Sequence, residues 1–358
     1  MFKQHRPTTL NIRLDHLYEN YSMMQRRIRP KQVIPVLKAD AYNHGARRVV
    51  DYLYRKGVRF FAVSLLEEAI ELKKVHDDIE VLIMGPIRPE DVHAVADHDL
   101  IFTLSRWAHF EAVKSLKRPV RFHLKLDTGM NRLGFKNVDD AVKIFEYARE
   151  DEHIQLEGVY THFATADGDR AYYQTQKDAF EEHLEQLPYL PEMVHVSNTS
   201  SLMKYERNIP YTTHARMGIG LYGTSLEEED YGLKPTFILE TEVSAVKTLK
   251  KGDKVSYSIT YEAPQDERIA VLSIGYADGL IRRNQGGDVW IKGKRHEIIG
   301  RICMDQTIIR IDDTVEAGDK VELIGSHIHI DEVAERLETI NYEVFTLISK
   351  RVPKIYIE

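Results

Sequence analysis

The stretch "VIPVLKADAYNHG", residues 33–45, begins with a short apolar run, VIPVL (33–37), which ends abruptly at Lys38. A short run of mostly apolar residues is typical of a parallel strand that is buried on both faces. Lys38 follows this run directly, so a long cation lies at the exit of the predicted strand. Two interpretations are open here: a solvated lysine beyond a strand end, or a reactive amine at the mouth of a pocket.

Seven more short apolar runs follow, and amphipathic stretches separate them. They lie at residues 59–64, 80–85, 100–105, 120–127, 155–162, 193–198 and 215–223. The stretches between them include LLEEAIELKKV (65–75) and DAVKIFEYARE (140–150), in which apolar residues recur at helical spacing. Eight strands that alternate with helices predict an α/β barrel of the TIM-type (β/α)₈ class. A doubly wound open sheet is the alternative.

After about residue 230 the pattern changes from apolar runs separated by helical stretches to strands separated by short turns. Segments such as RIAVLSIGYADG (268–279) and GDKVELIG (318–325) read as strands broken by glycine-containing turns, which is typical of an antiparallel sheet. One short helix, IDEVAERLETI (330–340), interrupts them. We therefore predict a (β/α)₈ barrel over residues 8–230 and a mostly antiparallel β domain over residues 231–358. Residues 1–10 are expected to contribute a strand to the β domain.

Composition and charge limit the classes of function. The chain has 358 residues, of which 43% are hydrophobic and 29% charged, as in ordinary globular proteins. A net charge of −7 argues against nucleic acid as a partner. No apolar run approaches the roughly 20 residues of a membrane span, and the N-terminus is too polar for a signal peptide. The single cysteine, Cys303, fits a reducing cytoplasm, so we expect a cytoplasmic protein without membrane or nucleic-acid partners.

A glycine-rich segment, GIGLYG (218–223), ends the predicted barrel. It matches the G-x-G-x-x-G pattern of dinucleotide sites, but it is the last of the eight runs and no amphipathic helix follows it. We interpret it as an eighth strand whose loop offers backbone N–H groups to a phosphate, where barrels often bind one. SNTSS (197–201) supplies hydroxyl groups at the same rim. A reactive lysine and a phosphate site on one barrel predict pyridoxal 5'-phosphate bound through Lys38.

Other polar residues lie at predicted strand ends. Arg216 precedes the glycines, and a buried arginine needs a partner, which is either the pyridine nitrogen of the cofactor or an ordinary ion pair. KLDTGMNRLGF (125–135) continues from the end of the fifth run, and His162 ends the sixth. Tyr257 and Tyr276 lie in predicted strands, where tyrosines are usually packing residues. We predict no metal site.

Together these motifs resemble one family. The segments occur in this order: VLKADAYNHGA, KLDTGMNRLG, THFATAD, ARMGIGLYG, VSYS, IGYADG, GRICMDQT, and INYEV followed by RVPKIY. The chain resembles the alanine racemases, the fold-type III family that uses pyridoxal phosphate, from about residue 8 to its C-terminus. The resemblance implies a homodimer with shared active sites that interconverts L- and D-alanine and supplies D-alanine for cell-wall peptidoglycan.

The resemblance also implies roles for individual residues. Lys38 would carry the cofactor and act as one base, and Tyr257 of the partner subunit would act as the opposing base. Arg132 would contact the cofactor and lie near the substrate carboxylate, to which Met304 of the partner subunit would donate its backbone N–H. Lys125 matches a lysine that is carbamylated in several relatives. The remaining implied cofactor contacts are Tyr42, His162, Thr199, Ser200, Arg216, Gly218 and Ile219, and the implied entry-channel residues are Tyr276 and Arg301.

Three positions depart from the family pattern and leave alternatives open. Asn43 and Asn131 stand where glycines are usual, and Lys350 stands where a tyrosine often touches the phosphate and narrows the pocket. A racemase of broader specificity, for serine or other amino acids, is therefore one alternative. A fold-type III decarboxylase is another, although such chains are usually longer and lack GRICMDQ and RVP. A non-enzymatic barrel protein that binds pyridoxal phosphate would lack the β domain.

Overall fold

The computed structural model describes residues 5–205, 209–226 and 229–358, and the chain forms two compact units. The barrel unit consists of residues 17–41 and 45–234, and the β unit of residues 5–16, 42–44 and 235–358, as far as these are described. The first strand of the chain, β1 (Thr9–Arg13), belongs to the β unit. The predicted domain limits at residues 230 and 231 stay predictions.

Eight parallel strands form the sheet of the barrel unit. They are β2 (Gln32–Pro35), β3 (Phe60–Val63), β4 (Glu80–Ile83), β5 (Ile101–Leu104), β6 (Val120–Lys125), β7 (Ile154–Tyr160), β8 (Met193–His195) and β9 (His214–Met217). Their order in the sheet is β2-β9-β8-β7-β6-β5-β4-β3, and a parallel bridge between Val36 and Ala62 brings β2 to β3. The sheet is thus nearly closed, which confirms the predicted (β/α)₈ barrel and excludes the open sheet.

Helices precede and connect these strands. They are α1 (Leu14–Ile28), α2 (Lys38–Asn43), α3 (Ala46–Arg55), α4 (Leu66–Lys73), α5 (Val92–Asp97), α6 (Trp107–Leu116), α7 (Val138–Glu150), α8 (Arg170–Gln186) and α9 (Thr199–Lys204). Side chains cap several of them: Asn137 accepts a hydrogen bond at the start of α7, and Asp169 accepts two at the start of α8. The helices predicted over residues 65–75 and 140–150 correspond to α4 and α7.

The helical turn α2 is left-handed. Residues 39–43 all have φ between 50° and 64°, and none of them is a glycine. A left-handed helical conformation costs roughly 1–2 kcal/mol per residue, so neighbouring groups have to hold it. The Asp40 carboxylate accepts a hydrogen bond from the Ala46 N–H at 2.8 Å, and Glu68 accepts one from Ala39 at 2.6 Å. Strain of this kind clusters at functional sites, and this turn begins at Lys38.

The β unit has the mostly antiparallel sheet that the sequence predicts. Its further strands are β10 (Phe237–Leu249), β11 (Lys254–Val255), β12 (Tyr261–Glu262), β13 (Glu267–Leu272), β14 (Asp288–Ile291), β15 (Lys294–Glu297), β16 (Thr307–Ile311), β17 (Lys320–Ile324) and β18 (Lys354–Ile357). The long strand β10 pairs in antiparallel fashion with β1, β13 and β17. β1 also pairs with β18, in parallel.

Two helices, rather than the predicted single helix over residues 330–340, lie in the C-terminal part of the β unit. α10 (Ile330–Leu337) ends where Glu338 adopts a left-handed conformation with φ 54°. α11 (Asn341–Leu347) follows and buries Val344 and Phe345. The prediction missed α11 because seven residues are too few to show a clear helical period.

Candidate active site

A cavity of about 440 Å³ opens in the barrel unit. It is lined by Lys38, Ser64, Leu65, Met84, Gly85, Pro86, Lys125, Arg132, Leu133, Tyr160, His162 and Arg216. Four of these residues are lysines or arginines, and none is an aspartate or glutamate. A concave site with this excess of positive charge favours anionic groups such as a phosphate or a carboxylate.

Strand ends supply the polar side chains of this cavity. Lys125 is the last residue of β6, Tyr160 is the last of β7, and the two face each other in the parallel register. Arg216 lies near the end of β9, opposite Ile34 of β2. Because the carboxyl ends of parallel barrel strands meet at one face, residues far apart in sequence come together there. The structure thus gathers five predicted site residues around one cavity: Lys38, Lys125, Arg132, His162 and Arg216.

Lys38 is a half-buried lysine at the start of the left-handed turn. Burial lowers the pKa of its amine, and the nearby charge of Arg132 lowers it further. A lower pKa raises the fraction of neutral amine, which is the form that attacks a carbonyl carbon or removes a proton. The environment therefore suits Lys38 to both roles that the sequence predicts for it.

Arg216 is almost fully buried, and its guanidinium is held by neutral acceptors. Nη1 donates to Nδ1 of His195 at 2.5 Å and to the backbone oxygen of that residue at 3.2 Å. Nη2 donates to Nδ1 of His162 at 3.1 Å and to the backbone oxygens of Thr161 and Val196 at 3.0 and 2.9 Å. Burial, followed by the charge of Arg216, lowers the pKa of His162 well below its ordinary value, so this imidazole stays neutral. None of these five hydrogen bonds neutralises the arginine.

Lys125 presents a buried amine that lacks a hydrogen bond. The residue is only 2% exposed, and its Nζ has no hydrogen-bond partner within the described part of the chain. Burial, together with the charge of Arg216, lowers the pKa of this amine to about 8. A buried amine without a hydrogen bond is costly, which indicates that a partner is missing from the protein atoms alone.

The glycine-rich segment after β9 forms a compact turn beside α9. The predicted strand over residues 215–223 is too long: β9 ends at Met217, and a 3₁₀ turn covers Ile219–Tyr222. The strand stops there because Gly218 leaves extended geometry, and Gly223 ends the turn in the left-handed region. The Thr199 hydroxyl accepts hydrogen bonds from the amides of Gly218 and Gly220 at 3.1 and 3.3 Å. Thr199, Ser200, Gly218 and Ile219 thus lie on adjoining segments, as their shared predicted role requires.

The β unit brings the other predicted residues together on three adjoining loops. The Tyr276 amide donates to the Cys303 oxygen at 3.0 Å, and the next amide donates to the Met304 oxygen at 3.0 Å. This close approach needs Gly275, because a Cβ there would lie 2.4 Å from both of those oxygens. The Ser256 hydroxyl donates to the Arg301 oxygen, which joins the loop of Tyr257 to the same group.

Tyr257 projects from a strained backbone. Ser256, Ser258 and Ile259 have φ of 61°, 61° and 52°, a region that is unfavourable for a β-branched residue such as isoleucine. Tyr257 is 68% exposed within the single chain, and Ile259 and Met304 are 55% and 52% exposed. Strain that is maintained around an exposed tyrosine is typical of functional loops.

Comparison with known proteins identifies the family. The family model described as alanine racemase, N-terminal domain, matches residues 12–226, and the model for the C-terminal domain matches residues 236–356. The chain belongs to the alanine racemase family. An alanine racemase of Geobacillus kaustophilus is 40% identical over 98% of this chain and 95% of that protein. Alanine racemase 1 of Bacillus subtilis is 38% identical over 99% of this chain and 94% of that protein.

Solved structures of the alanine racemase family have the same fold. The crystal structure from E. faecalis superposes with a TM-score of 0.94 at 35% identity and covers all of both chains. The Bacillus anthracis enzyme, solved with bound L-Ala-P, has a TM-score of 0.90 at 34% identity and covers 100% of this chain and 96% of its own. The resemblance predicted from the motifs is therefore confirmed, and the chain is an amino-acid racemase of this family.

Two departures from the alanine racemase pattern have a structural reason. Asn43 and Asn131, which stand where glycines are usual, have φ of 64° and 56°. Asparagine adopts this left-handed region more readily than other residues with a side chain, so both substitutions preserve the backbone. The Asn43 side chain also donates to the backbone oxygens of Phe345 and Ile348 at 3.0 and 2.8 Å. Lys350, the third departure, is exposed.

Some predicted contacts stay predictions, and some cavity residues were missed. Tyr42 belongs to the β unit, where its ring lies 5.9 Å from that of Tyr342, and its predicted phosphate contact is untested.

Ser64 and Gly85 follow strand ends as Lys38 does, and the same positional argument would have found them. Tyr160 lies inside an apolar run, where the sequence gives no signal of a cavity role.

Two kinds of feature are absent from the described part of the chain. No group of three or more histidine, cysteine, aspartate or glutamate side chains there lies close enough to hold a metal ion. No helix of those residues is long and apolar enough to cross a bilayer.

Proposed function

We propose that this chain is an alanine racemase that uses pyridoxal phosphate and two bases, and that it supplies D-alanine for peptidoglycan. The observation that carries this proposal is the cavity around Lys38, where an amine with a lowered pKa faces cationic groups and none of the described lining residues is a carboxylate. The family membership of the whole chain supports alanine as the substrate. Its single cysteine fits the cytoplasmic location that the sequence predicts.

The residues of the barrel unit fit pyridoxal phosphate. The cavity of about 440 Å³ accommodates a small organic cofactor, and the buried Lys125 amine lacks a hydrogen bond that an added group can supply. Beside the proposed phosphate site, Gly220 lets α9 approach closely, because a Cβ there would lie 2.9 Å from Thr199 Cγ2. When bound, the cofactor withdraws electrons from the Cα of the attached amino acid and acidifies its proton.

Each proposed site residue has a definite task in binding the cofactor or the substrate. Lys38 holds the cofactor covalently, and Arg132 binds the substrate carboxylate together with the backbone N–H of Met304 of the partner subunit. Arg216 donates to the pyridine nitrogen, and neutral His162 supports the guanidinium from the side. The proposed phosphate contacts are Tyr42, Thr199, Ser200 and the amides of Gly218 and Ile219.

Racemisation needs a proton acceptor on each face of the substrate Cα. We assign the face of D-alanine to Lys38 and that of L-alanine to Tyr257 of the partner subunit. Each positioned base contributes roughly 10²–10⁴ in rate, so losing either one is expected to be severe. Tyr276 and Arg301 line the path by which the substrate enters.

A homodimer completes the proposed site. Tyr257, Ile259 and Met304 are all more than half exposed in the single chain, and they lie on adjoining loops. Exposed apolar groups that cluster in this way mark surfaces that another protein covers. Because these loops carry proposed catalytic and substrate-binding groups, a second copy of the chain is the partner that the proposal requires.

Carbamylation of Lys125 would supply the partner that its amine lacks. The neutral amine attacks CO₂, a new N–C bond forms, and a proton leaves to give an anionic carbamate. The lowered pKa of about 8 makes the neutral form accessible near physiological pH. Arg132 and Arg216 share the cavity wall with Lys125, so a negative charge there would meet two guanidinium groups.

One assay tests the proposed function and its rivals together. Enzyme and pyridoxal phosphate are incubated with L-alanine, L-serine or L-lysine, and the products are separated by chiral chromatography. We expect D-alanine to form fastest, and Lys38→Ala to abolish its formation. Comparable rates with serine would favour the broader racemase, for which Lys350 in place of the usual tyrosine is the argument from the sequence. Release of CO₂ without an inverted product would instead indicate a decarboxylase.

A further inference from the structure

A pair of buried histidines adjoins Arg216, and the proposed function assigns no task to them. Nε2 of His195 and Nδ1 of His123 lie 2.9 Å apart, and both residues are 0% exposed. Nδ1 of His195 lies 2.5 Å from Nη1 of Arg216, so the three side chains form one hydrogen-bonded row. Polar groups in a barrel interior are costly unless they are hydrogen-bonded, and such rows tend to fix one arrangement of their members.

The chemistry of arginine determines the direction of every hydrogen bond in this row. A guanidinium can only donate, so Nδ1 of His195 must be the acceptor and must carry no proton. The proton of a neutral His195 is therefore on Nε2, which donates to Nδ1 of His123. His123 in turn carries its own proton on Nε2. Each histidine is thus restricted to a single tautomer.

Both imidazoles are neutral, so they do not offset the positive charge of the Arg216 guanidinium. Burial lowers the pKa of His123 to about 3, with smaller contributions from the charges of His214, Arg121 and Arg216. Burial, followed by the charge of Arg216, lowers the pKa of His195 well below its ordinary value. A carboxylate in the place of His195 would pair with the guanidinium and reduce its field, whereas an imidazole orients it and leaves its charge intact.

The backbone around His123 is shaped to accept its ring. The pairing of β6 with β7 shifts by one residue between Phe122 and His123, where a bulge in β7 places Gly158 opposite His123. A Cβ at position 158 would lie only 2.7–2.8 Å from three atoms of the His123 ring. Bulges re-aim side chains, and here the bulge and the glycine together admit the imidazole.

We propose that His123 and His195 are positioning residues for Arg216. His123 accepts the proton of His195 Nε2 and thereby stabilises the tautomer that Arg216 requires. The Nδ1 lone pair of His195 then holds the guanidinium in the orientation in which it lines the cavity. The predicted effect on catalysis rests on the proposed racemase function. The predicted tautomer does not, so the two can fail separately.

Nitrogen-15 NMR of histidine-labelled holoenzyme tests the tautomer directly. We expect His195 to be protonated at Nε2 and unprotonated at Nδ1 in the wild type and in His123→Asn, and to lose this single tautomer in His123→Leu. Asparagine and leucine have nearly the same size and shape, but only asparagine offers an acceptor oxygen near the position of Nδ1. A wild-type His195 that carries its proton on Nδ1 would overturn the proposal, whether or not the protein racemises alanine.

Kinetics of the same matched pair tests the consequence for catalysis. We expect His123→Leu to lower kcat roughly tenfold with little change in KM, since one hydrogen bond that orients a cavity group is lost. His123→Asn should retain most of the activity. If leucine is tolerated as well as asparagine, or better, His123 is a packing residue and the proposal is wrong.

If His123→Leu prevents folding of the otherwise native chain, the inference can still be tested in a chain that carries a substitution at His195. In His195→Asn the acceptor oxygen replaces Nδ1 and no longer depends on a tautomer, so it should retain more activity than His195→Leu. Replacing His123 by Leu should then cost little further activity in the His195→Asn background. A further loss of about tenfold in the His195→Asn background would show that His123 does not act through His195.

Discussion

Lys125 and Tyr160 are paired across the neighbouring strands β6 and β7, and the amine of Lys125 lies 5.4 Å from the centroid of the tyrosine ring. The aromatic face stabilises a cation only partly, and the amine has no hydrogen bond within the described residues. The tyrosine hydroxyl is itself engaged, 2.7 Å from the hydroxyl of Thr103. Lys125 is therefore the polar group of the cavity that most clearly requires an added partner.

The first prediction concerns the effect of the buried Lys125 amine on the free energy of unfolding. Because burial lowers the pKa of this amine to about 8, the unfolded chain binds more protons than the folded chain between pH 8 and 10.5, and stability rises with pH over that window. At pH 7 the charged amine destabilises the fold by on the order of 3 kcal/mol at most. We expect Lys125→Met to be more stable than the wild type in CO₂-free buffer at pH 7, by denaturant unfolding, and this advantage to shrink toward pH 10.

Bicarbonate provides the matching test of carbamylation. It should stabilise the wild type and leave Lys125→Met unchanged, because only the wild type can form a carbamate facing the arginines. The exposed Lys56→Met serves as the control variant and should respond as the wild type does. Equal stabilisation of Lys125→Met by bicarbonate would contradict the assignment.

The barrel could be predicted from the sequence because its strands are buried on both faces and appear as continuous apolar runs. The same logic located Lys38, which directly follows its run. Lys125 and Arg216 stood out as charged residues that begin a polar segment and precede a glycine-rich segment. His123 and Tyr160 gave no comparable signal, because they lie within the runs and acquire their partners only when the strands are paired. Their hydrogen bonds depend on register and on the bulge opposite His123, which single-sequence patterns do not define.

The second prediction is that Lys38 binds the cofactor covalently. Its amine condenses with the cofactor aldehyde and releases water, so the purified protein should show a visible–ultraviolet band that borohydride abolishes. Peptide mapping after reduction should place the label on Lys38. Lys38→Ala should lose the band, whereas Lys56→Ala should keep it. A fully labelled, reducible lysine elsewhere in Lys38→Ala would show that the assignment is wrong.

The third prediction is that the active sites are shared between subunits. Lys38→Ala and Tyr257→Phe subunits are each expected to be inactive alone, but a mixed dimer contains one site with both bases intact. Random mixing should therefore restore up to about a quarter of the wild-type activity, since half of the dimers are mixed and each has one good site. As a control, the double variant Lys38→Ala/Tyr257→Phe mixed with wild type forms mixed dimers without any intact site. No recovery despite demonstrated subunit exchange would argue against shared sites.

The fourth prediction concerns the acid stability of the Tyr276 loop. Asp278 is fully buried, and Arg6 donates to its carboxylate from Nη1 at 2.7 Å while the Gly275 amide donates at 3.0 Å. Burial alone would raise the pKa of Asp278, but these hydrogen bonds lower it below its usual value. A lowered pKa means that the contribution of Asp278 to stability is present above about pH 4 and is lost as the pH falls through the folded pKa.

Asp278→Asn should therefore destabilise the protein at pH 7 by about 3 kcal/mol, as expected for breaking a buried ion pair. The difference from the wild type, measured by denaturant unfolding, should narrow below pH 4. Asp313→Asn is the matched control, because the Asp313 side chain in its pair with Arg268 is 97% exposed and such pairs contribute about 0–1 kcal/mol. A loss at Asp278 as small as that at Asp313 would show that the buried pair does not hold the loop.

The fifth prediction assigns each base to one enantiomer. Tyr257→Phe removes the acid–base hydroxyl and keeps the ring, and because the residue is 68% exposed in the single chain, the fold should change little. Racemisation should fall by roughly 10² or more, the range expected for a positioned base. In deuterated solvent, the variant should still exchange the α-proton of D-alanine, because Lys38 remains, and should exchange that of L-alanine far more slowly. Mass spectrometry of each enantiomer measures both rates. Equal loss of exchange for the two enantiomers would favour a single base and a structural role for Tyr257.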